Sequence, residues 1–228
     1  MNNSKQGFHF LFGLPVLITS VDPSSYDKEK IMDTITSNYK KEKIRDGWGL
    51  NSGSFFKTDI HHSHGDESSE KFKKINYDKL IPCYHKPIEN YMSLLTDKSF
   101  NYKFEVVNYS AVTHNSFMKP HTHPNADFSM VHYVSFDKEQ HLPTIFLNPY
   151  FFSGYINNED TLRKIFYNDV SITSSWLFEE WMHDIEEDDV IIFPSVLKHY
   201  VRNIDSEKLR VTIATNINIG ETEKKNAV

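Results

Sequence analysis

Apolar positions follow two different rhythms along the chain. Roughly the first hundred residues carry helix-spaced apolar positions, and the rest carry short runs of β-forming residues cut by turns. From Phe8 to Thr19 β-formers alternate with turn residues, and Gly13-Leu14-Pro15-Val16-Leu17-Ile18 predicts a strand entering the fold. Asp22-Pro23-Ser24-Ser25 supplies turn and cap signals before Tyr26 to Lys43, where Ile31, Ile35 and Tyr39 recur at helical spacing. A second helix is predicted from about Asn76 to Asp97, with Leu80, Ile88, Tyr91, Leu94 and Leu95 as its buried stripe and a break at Pro82 or Pro87. Between the helices, Lys57 to Lys71 has no apolar periodicity and reads as a mobile loop. Its His61-His62-Ser63-His64-Gly65-Asp66-Glu67 has metal-binding composition, but neighbouring histidines on a solvated loop bind metal adventitiously more often than functionally.

Phe104 to Tyr109, Phe128 to Phe136, Thr144 to Leu147, Val190 to Phe193 and Leu209 to Ile219 predict antiparallel strands. Helices followed by strands argue for an α+β fold in which the N-terminal helices cover one face of a β-sandwich or barrel. One domain over 1–228 is expected: strand and helical support in 1–100, a β core in 101–220 and a frayed tail in 221–228. Aromatic residues at 14% supply a core despite the low mean hydropathy. The net charge of −6 offers no basic footprint for nucleic acid or an anionic membrane, and neither partner is expected. The chain lacks an apolar run of membrane-spanning length and a secretory cleavage pattern, so a cytoplasmic location is expected. Cys83, the single cysteine, leaves His, Asp and Glu to hold any metal.

The chemistry concentrates in two places. In Lys119-Pro120-His121-Thr122-His123-Pro124-Asn125, residues two apart on a strand share a side, so His121 and His123 can share one metal; neutral imidazole suits iron, copper or zinc. The bland alternative is a pair of polar surface histidines. Downstream, Asp188 to Val201 reads as an apolar strand over Val190 to Phe193, a proline-bearing turn, and His199 opening the next strand as a candidate third ligand. The acidic run Asp184 to Asp189 reads as a solvated turn. If Arg202 to Lys208 closes a hairpin, residue 199 lies opposite residue 212 and residue 201 opposite residue 210, and His199, Arg210 and Thr212 face one side. An interior arginine needs an anion, either a bound carboxylate or a core Asp or Glu.

The order His121-x-His123, Phe193-Pro194-Ser195-x-x-x-His199 and Arg210-x-Thr212 resembles the 2-oxoglutarate and iron(II)-dependent oxygenases, particularly a small bacterial and phage-type group with a His-x-His-Pro motif. Ser116 to Ser129 matches that pattern, and Leu11-Phe12-Gly13-Leu14-Pro15-Val16 and Gly53-Ser54-Phe55 look like the group's opening. The resemblance implies a double-stranded β-helix (jelly-roll, cupin-like) with Fe(II) and 2-oxoglutarate as cofactor and co-substrate. It implies His121 and His199 as metal ligands, and Arg210 with Thr212 as the seat of the co-substrate's distal carboxylate. The expected activity is hydroxylation of an unidentified small-molecule or peptide substrate with release of succinate and CO2. His123 stands where the superfamily usually has Asp or Glu, so His123, Asp127 or water completes the metal site; His123 is preferred, because Asp127 follows a Pro-Asn turn. A similarity to the aspartyl β-hydroxylase branch marks His132 as a candidate co-substrate residue, although a core histidine is the favoured reading of it. Tyr109 and Asn108 are further polar candidates for lining the pocket. The aromatic-dense stretch from Asn148 to Glu187 is either a lid or core helices. A cupin-like metal- or sugar-binding protein without oxygenase activity is the competing function, and homo-oligomerisation is left open.

Overall fold

The computed structural model describes residues 6–46, 59–64, 66–97, 101–114, 116–149 and 179–220. The Gly53-Ser54-Phe55 stretch, the tail and most of the aromatic-dense segment lie outside these residues, so the choice between lid and core helices there is not addressed.

The chain opens with a hairpin of β1 (Gly7–Leu11) and β2 (Leu14–Ser20). Its two-residue turn puts Phe12 at φ 54° and Gly13 at φ 80°, the positive-φ pair that matches strand twist. Gly13 adopts this freely. Phe12 does not, and it is held there by burial of its ring in the core. Helix α1 (Lys28–Lys41) buries Ile31, Ile35 and Tyr39, as their spacing predicts. Helix α2 (Ile81–Leu95) runs through both prolines without the predicted break. Pro82 sits in the first turn, where its missing N–H has no intrahelical acceptor to serve. Pro87 leaves the Cys83 carbonyl without its helical donor, but it is buried beside Tyr84, Ile88 and Tyr91, whose packing offsets the loss.

Two strands absent from the periodicity follow α1. β3 (Ile44–Asp46) pairs in parallel with β4 (Ile60–His62), and β4 pairs with the upper end of β5 (Asn101–Val112). The predicted mobile loop is thus partly sheet. His61 is fully buried, stacked on Tyr109 with ring centroids 5.6 Å apart, and it hydrogen-bonds Asp66 at 2.8 Å and the Glu42 carbonyl at 2.9 Å. His61 and His62, on successive positions of β4, are both buried, so they are not part of a solvated tract.

The second half supplies β6 (Ser116–His121), β7 (Phe128–Ser135), β8 (Ile145–Leu147), β9 (Glu180–Met182), β10 (Asp189–Pro194), β11 (His199–Ile204) and β12 (Arg210–Gly220). They form two sheets, in the orders β1-β2-β10-β7-β12-β5-β4-β3 and β6-β11-β8-β9. Among the described residues the fold is therefore mostly β with two α-helices. One face of the larger sheet carries the helices: Ile35, Tyr84, Ile88 and Tyr91 pack with Met130, Ile192, Val211 and Ile213. Its other face meets the smaller sheet through Val131, Tyr133, Ile191, Phe193 and Phe146.

The expected hairpin of β11 with β12 does not form. β11 pairs with β6 and β8 in the smaller sheet, while β12 pairs with β5 and β7 in the larger one. The polar turn between them carries the chain across the sandwich. Nor is the acidic run a solvated turn at its end. Asp188, at φ 64°, and Asp189 are buried, and Asp188 accepts from Tyr26 at 2.9 Å and pairs with Lys28 at 2.6 Å.

The helix-to-sheet layer should be sensitive to cavities. Ile88→Ala, at a fully buried position, is expected to cost about 3 kcal/mol in urea unfolding; a loss of under about 1 kcal/mol would mean that the layer is loosely packed.

Candidate metal centre

Three imidazoles meet at one end of the space between the sheets. His121 ends β6 and His199 begins β11, and the antiparallel register sets them directly opposite each other although 78 residues separate them in sequence. The turns beyond are stitched together by backbone bonds from His123 N–H to the Ser195 carbonyl (3.1 Å) and from Ser195 N–H to the Asp127 carbonyl (3.0 Å). His123 is thereby carried over the other two rings. Ring centroids lie 4.4 Å apart for His121 and His199, 5.2 Å for His123 and His199, and 5.4 Å for His121 and His123. One nitrogen from each ring falls within 4.8 Å of the others.

Each ring is oriented through Nδ1. In His121 it donates to the Lys119 carbonyl (2.9 Å), in His199 to the Leu197 carbonyl (2.9 Å), and in His123 to Asn216 Oδ1 (3.0 Å). With Nδ1 carrying the proton, the lone pair sits on Nε2, the tautomer a metal ligand needs. Burial pushes all three pKa values down, helped at His199 by the neighbouring rings, so that His199 falls to about 3. Neutral, pre-oriented imidazoles with converging lone pairs fit a first-row divalent cation. Asp127 is not turned toward them. Its Oδ2 accepts from the Ile219 N–H at 2.8 Å, capping β12 instead of its own turn.

Arg210 and Thr212 face the same interior from the opposite sheet. On β12, Val211, Ile213 and Ile217 point to the helices, so strand alternation sends Arg210, Thr212 and Asn216 the other way. Arg210 is 2% exposed and lies over the Tyr133 ring at 5.4 Å, and its Nε and Nη2 have no hydrogen-bond partner. Among the described residues no Asp or Glu pairs with it. An unpaired buried guanidinium is costly, and its presence points to an anion that arrives later. Beside it is a cavity bordered by Ser110, Phe117, Met118 and Val201, Val201 being two residues along β11 from His199.

Two expected pocket residues are elsewhere. His132 lies on the helix side of β7, where its Nδ1 meets the Tyr84 hydroxyl at 2.9 Å and its ring packs against Tyr26 and Tyr84. Tyr109 also faces the helices, and its hydroxyl accepts from Asn38 Nδ2 at 3.0 Å. Both lie one step out of phase with the pocket. Ser110, paired with Thr212, and Asn108, paired with Ala214, hold the in-phase positions on β5. Asn216 is not among the residues the sequence singles out, although its even spacing from Arg210 puts it on the same face of β12.

The linkage follows from the lowered pKa values. The unfolded histidines titrate near 6.5, so below that pH the unfolded chain binds protons that the folded chain refuses, and stability is lost as pH falls. The urea midpoint of metal-free protein is expected to be level above about pH 7.5 and to decline steadily below about pH 6.5. In a His121→Gln/His123→Gln/His199→Gln triple variant the decline should be shallower; an unchanged slope would contradict these proton affinities.

A model of the family described as "Putative 2OG-Fe(II) oxygenase" matches residues 109–216, which include all three histidines and Arg210. No curated protein matches the sequence. Among solved structures, a 2OG-Fe(II) oxygenase family oxidoreductase from Burkholderia pseudomallei aligns at TM-score 0.40 with 10% identity, covering 64% of this chain and only 60% of that one. A prolyl hydroxylase from Trichoplax adhaerens, in complex with a hypoxia inducible factor peptide, aligns at TM-score 0.48 with 12% identity over 89% of this chain and 83% of its own. The viral collagen prolyl hydroxylase of Paramecium Bursaria Chlorella virus-1 aligns at TM-score 0.45 with 10% identity over 89% and 94%. Residues 109–216 of the chain are thus similar to the 2OG-Fe(II) oxygenases, a family of oxidoreductases that use iron(II) and 2-oxoglutarate.

Proposed function

We propose that the chain is a 2-oxoglutarate-dependent dioxygenase that hydroxylates an organic substrate and releases succinate and CO2, on a double-stranded β-helix. The strand order supports this winding, since β5 to β12 divide between two facing sheets with β5, β7, β10 and β12 in one and β6, β8, β9 and β11 in the other. The observation that carries the activity is the pairing of a metal-competent histidine triad with a buried arginine whose donors lack partners, both facing one interior.

In this proposal His121, His123 and His199 hold iron(II). The bound metal supplies oxygen activation. Three neutral imidazoles leave the site one positive charge higher than a site with two histidines and a carboxylate, which favours anionic chelators. Arg210 receives the distal carboxylate through Nε and Nη2, and Thr212, Ser110 and Asn108 lie on the same face to add hydrogen bonds. The cavity beside Arg210 measures about 10 Å³, room for a single water. Entry of a dicarboxylate therefore requires Met118 or Phe117 to swing aside, which their partial exposure permits. Phe146 and Phe193, packed against His199, keep the far side of the rings dry.

Anaerobic titration of the protein with Fe(II) and 2-oxoglutarate tests this directly. A weak visible charge-transfer band that appears only when both are present is expected; a protein that binds iron without the band is a metal-binding protein of another kind. Arg210→Ala is expected to raise the 2-oxoglutarate concentration required by about a hundredfold while iron affinity stays within about threefold. Unchanged succinate formation at limiting 2-oxoglutarate would remove Arg210 from the site.

A further inference from the structure

β5 is longer than the strands that cover its outer edge. It pairs with β12 along its whole length, from Asn101 opposite Gly220 to Val112 opposite Arg210. On its other edge β4 reaches only Ser110 to Val112, and Ser63 extends that pairing to Tyr109 through its backbone N–H (3.0 Å) and its hydroxyl (2.8 Å). Below that point, among the described residues, no strand lies against residues 103–108. Every second residue there turns a main-chain N–H and C=O outward, and such groups need partners.

This edge borders a groove of about 560 Å³, lined by Glu105 and Val107 of β5 together with Ser63, Asp66, Lys73 and Lys74. The groove is tied to the metal centre by strand register alone. Glu105 is the register partner of Asn216, the residue that orients His123.

We propose that this edge docks the substrate as an extended peptide, which adds as a strand to residues 103–108 and is led from there across β12 to the histidine triad. The chemistry selects the occupant. A row of alternating donors and acceptors at strand spacing is matched by another extended main chain and by little else. The groove is concave, so a single chain enters where the edge of a second folded sheet would meet its walls. Lys73 and Lys74 in the lining further favour a segment that carries an acidic residue. The six residues of open edge span about 20 Å, enough to fix direction and register. Only the statement that the docked chain is the substrate rests on the oxygenase proposal.

The test uses metal-free full-length protein and an immobilised random octapeptide library, with retained peptides resynthesised free. Bound peptide is expected to slow amide hydrogen exchange within residues 101–108. N-methylation at alternate peptide positions should weaken binding about tenfold or more, and the intervening positions should tolerate it. Retention of no peptide, protection confined to another segment such as β1 or β9, or an N-methyl scan without alternation would each overturn strand addition. If strand addition holds but retained peptides are never oxidised by a preparation that forms the Fe(II)–2-oxoglutarate band, the groove docks a partner other than the substrate and the substrate assignment falls. Absence of the band itself counts against the oxygenase proposal, and leaves the groove result standing.

Discussion

Three imidazole lone pairs aimed at one point repel one another, and the fold is organised to hold them there. Each ring is anchored by its Nδ1 to an oxygen that cannot easily move: two are backbone carbonyls two residues back in the chain, and the third is the side chain of Asn216 from the opposite sheet. Burial keeps the rings neutral, and a neutral cluster of this kind is relieved by a cation. The backbone stitches between the 122–127 and 195–198 turns are what bring the segments together.

The same logic of an unanswered interaction applies across the sandwich. Arg210 is buried without an acid beside it, resting on Tyr133 and Phe136, with donors unmet. A fold would ordinarily remove such a charge or pair it. That it stands on the strand that also carries Asn216 means β12 links the two halves of the centre: one of its residues orients a ring of the triad and another is a buried guanidinium with unmet donors.

Much of this was legible in the sequence, because strand alternation is a strict rule. Val211, Ile213 and Ile217 declare the helix face of β12, and Arg210 and Thr212 follow on the other. Alternation does not say which sheet a strand joins. The turn after His199 therefore read as a hairpin, when it is a crossing between sheets, and the interior that His199 and Arg210 share was inferred from a wrong pairing. Phase errors explain His132 and Tyr109, which are polar and central but lie one residue off the pocket face. His61 reads as a loop residue in the sequence because β4 is only three residues long, too short for a periodicity. Even spacing from Arg210 puts Asn216 on the pocket face, but nothing about an asparagine in a strand says which ring it meets.

The most direct measurement is diffraction at the iron absorption edge from crystals grown anaerobically with Fe(II) and 2-oxoglutarate. One anomalous peak within about 2.2 Å of Nε2 of His121, His123 and His199, with the co-substrate's distal carboxylate on Arg210, is the expected result. A peak held by Asp127 in place of His123, or a carboxylate bound away from Arg210, would contradict the account.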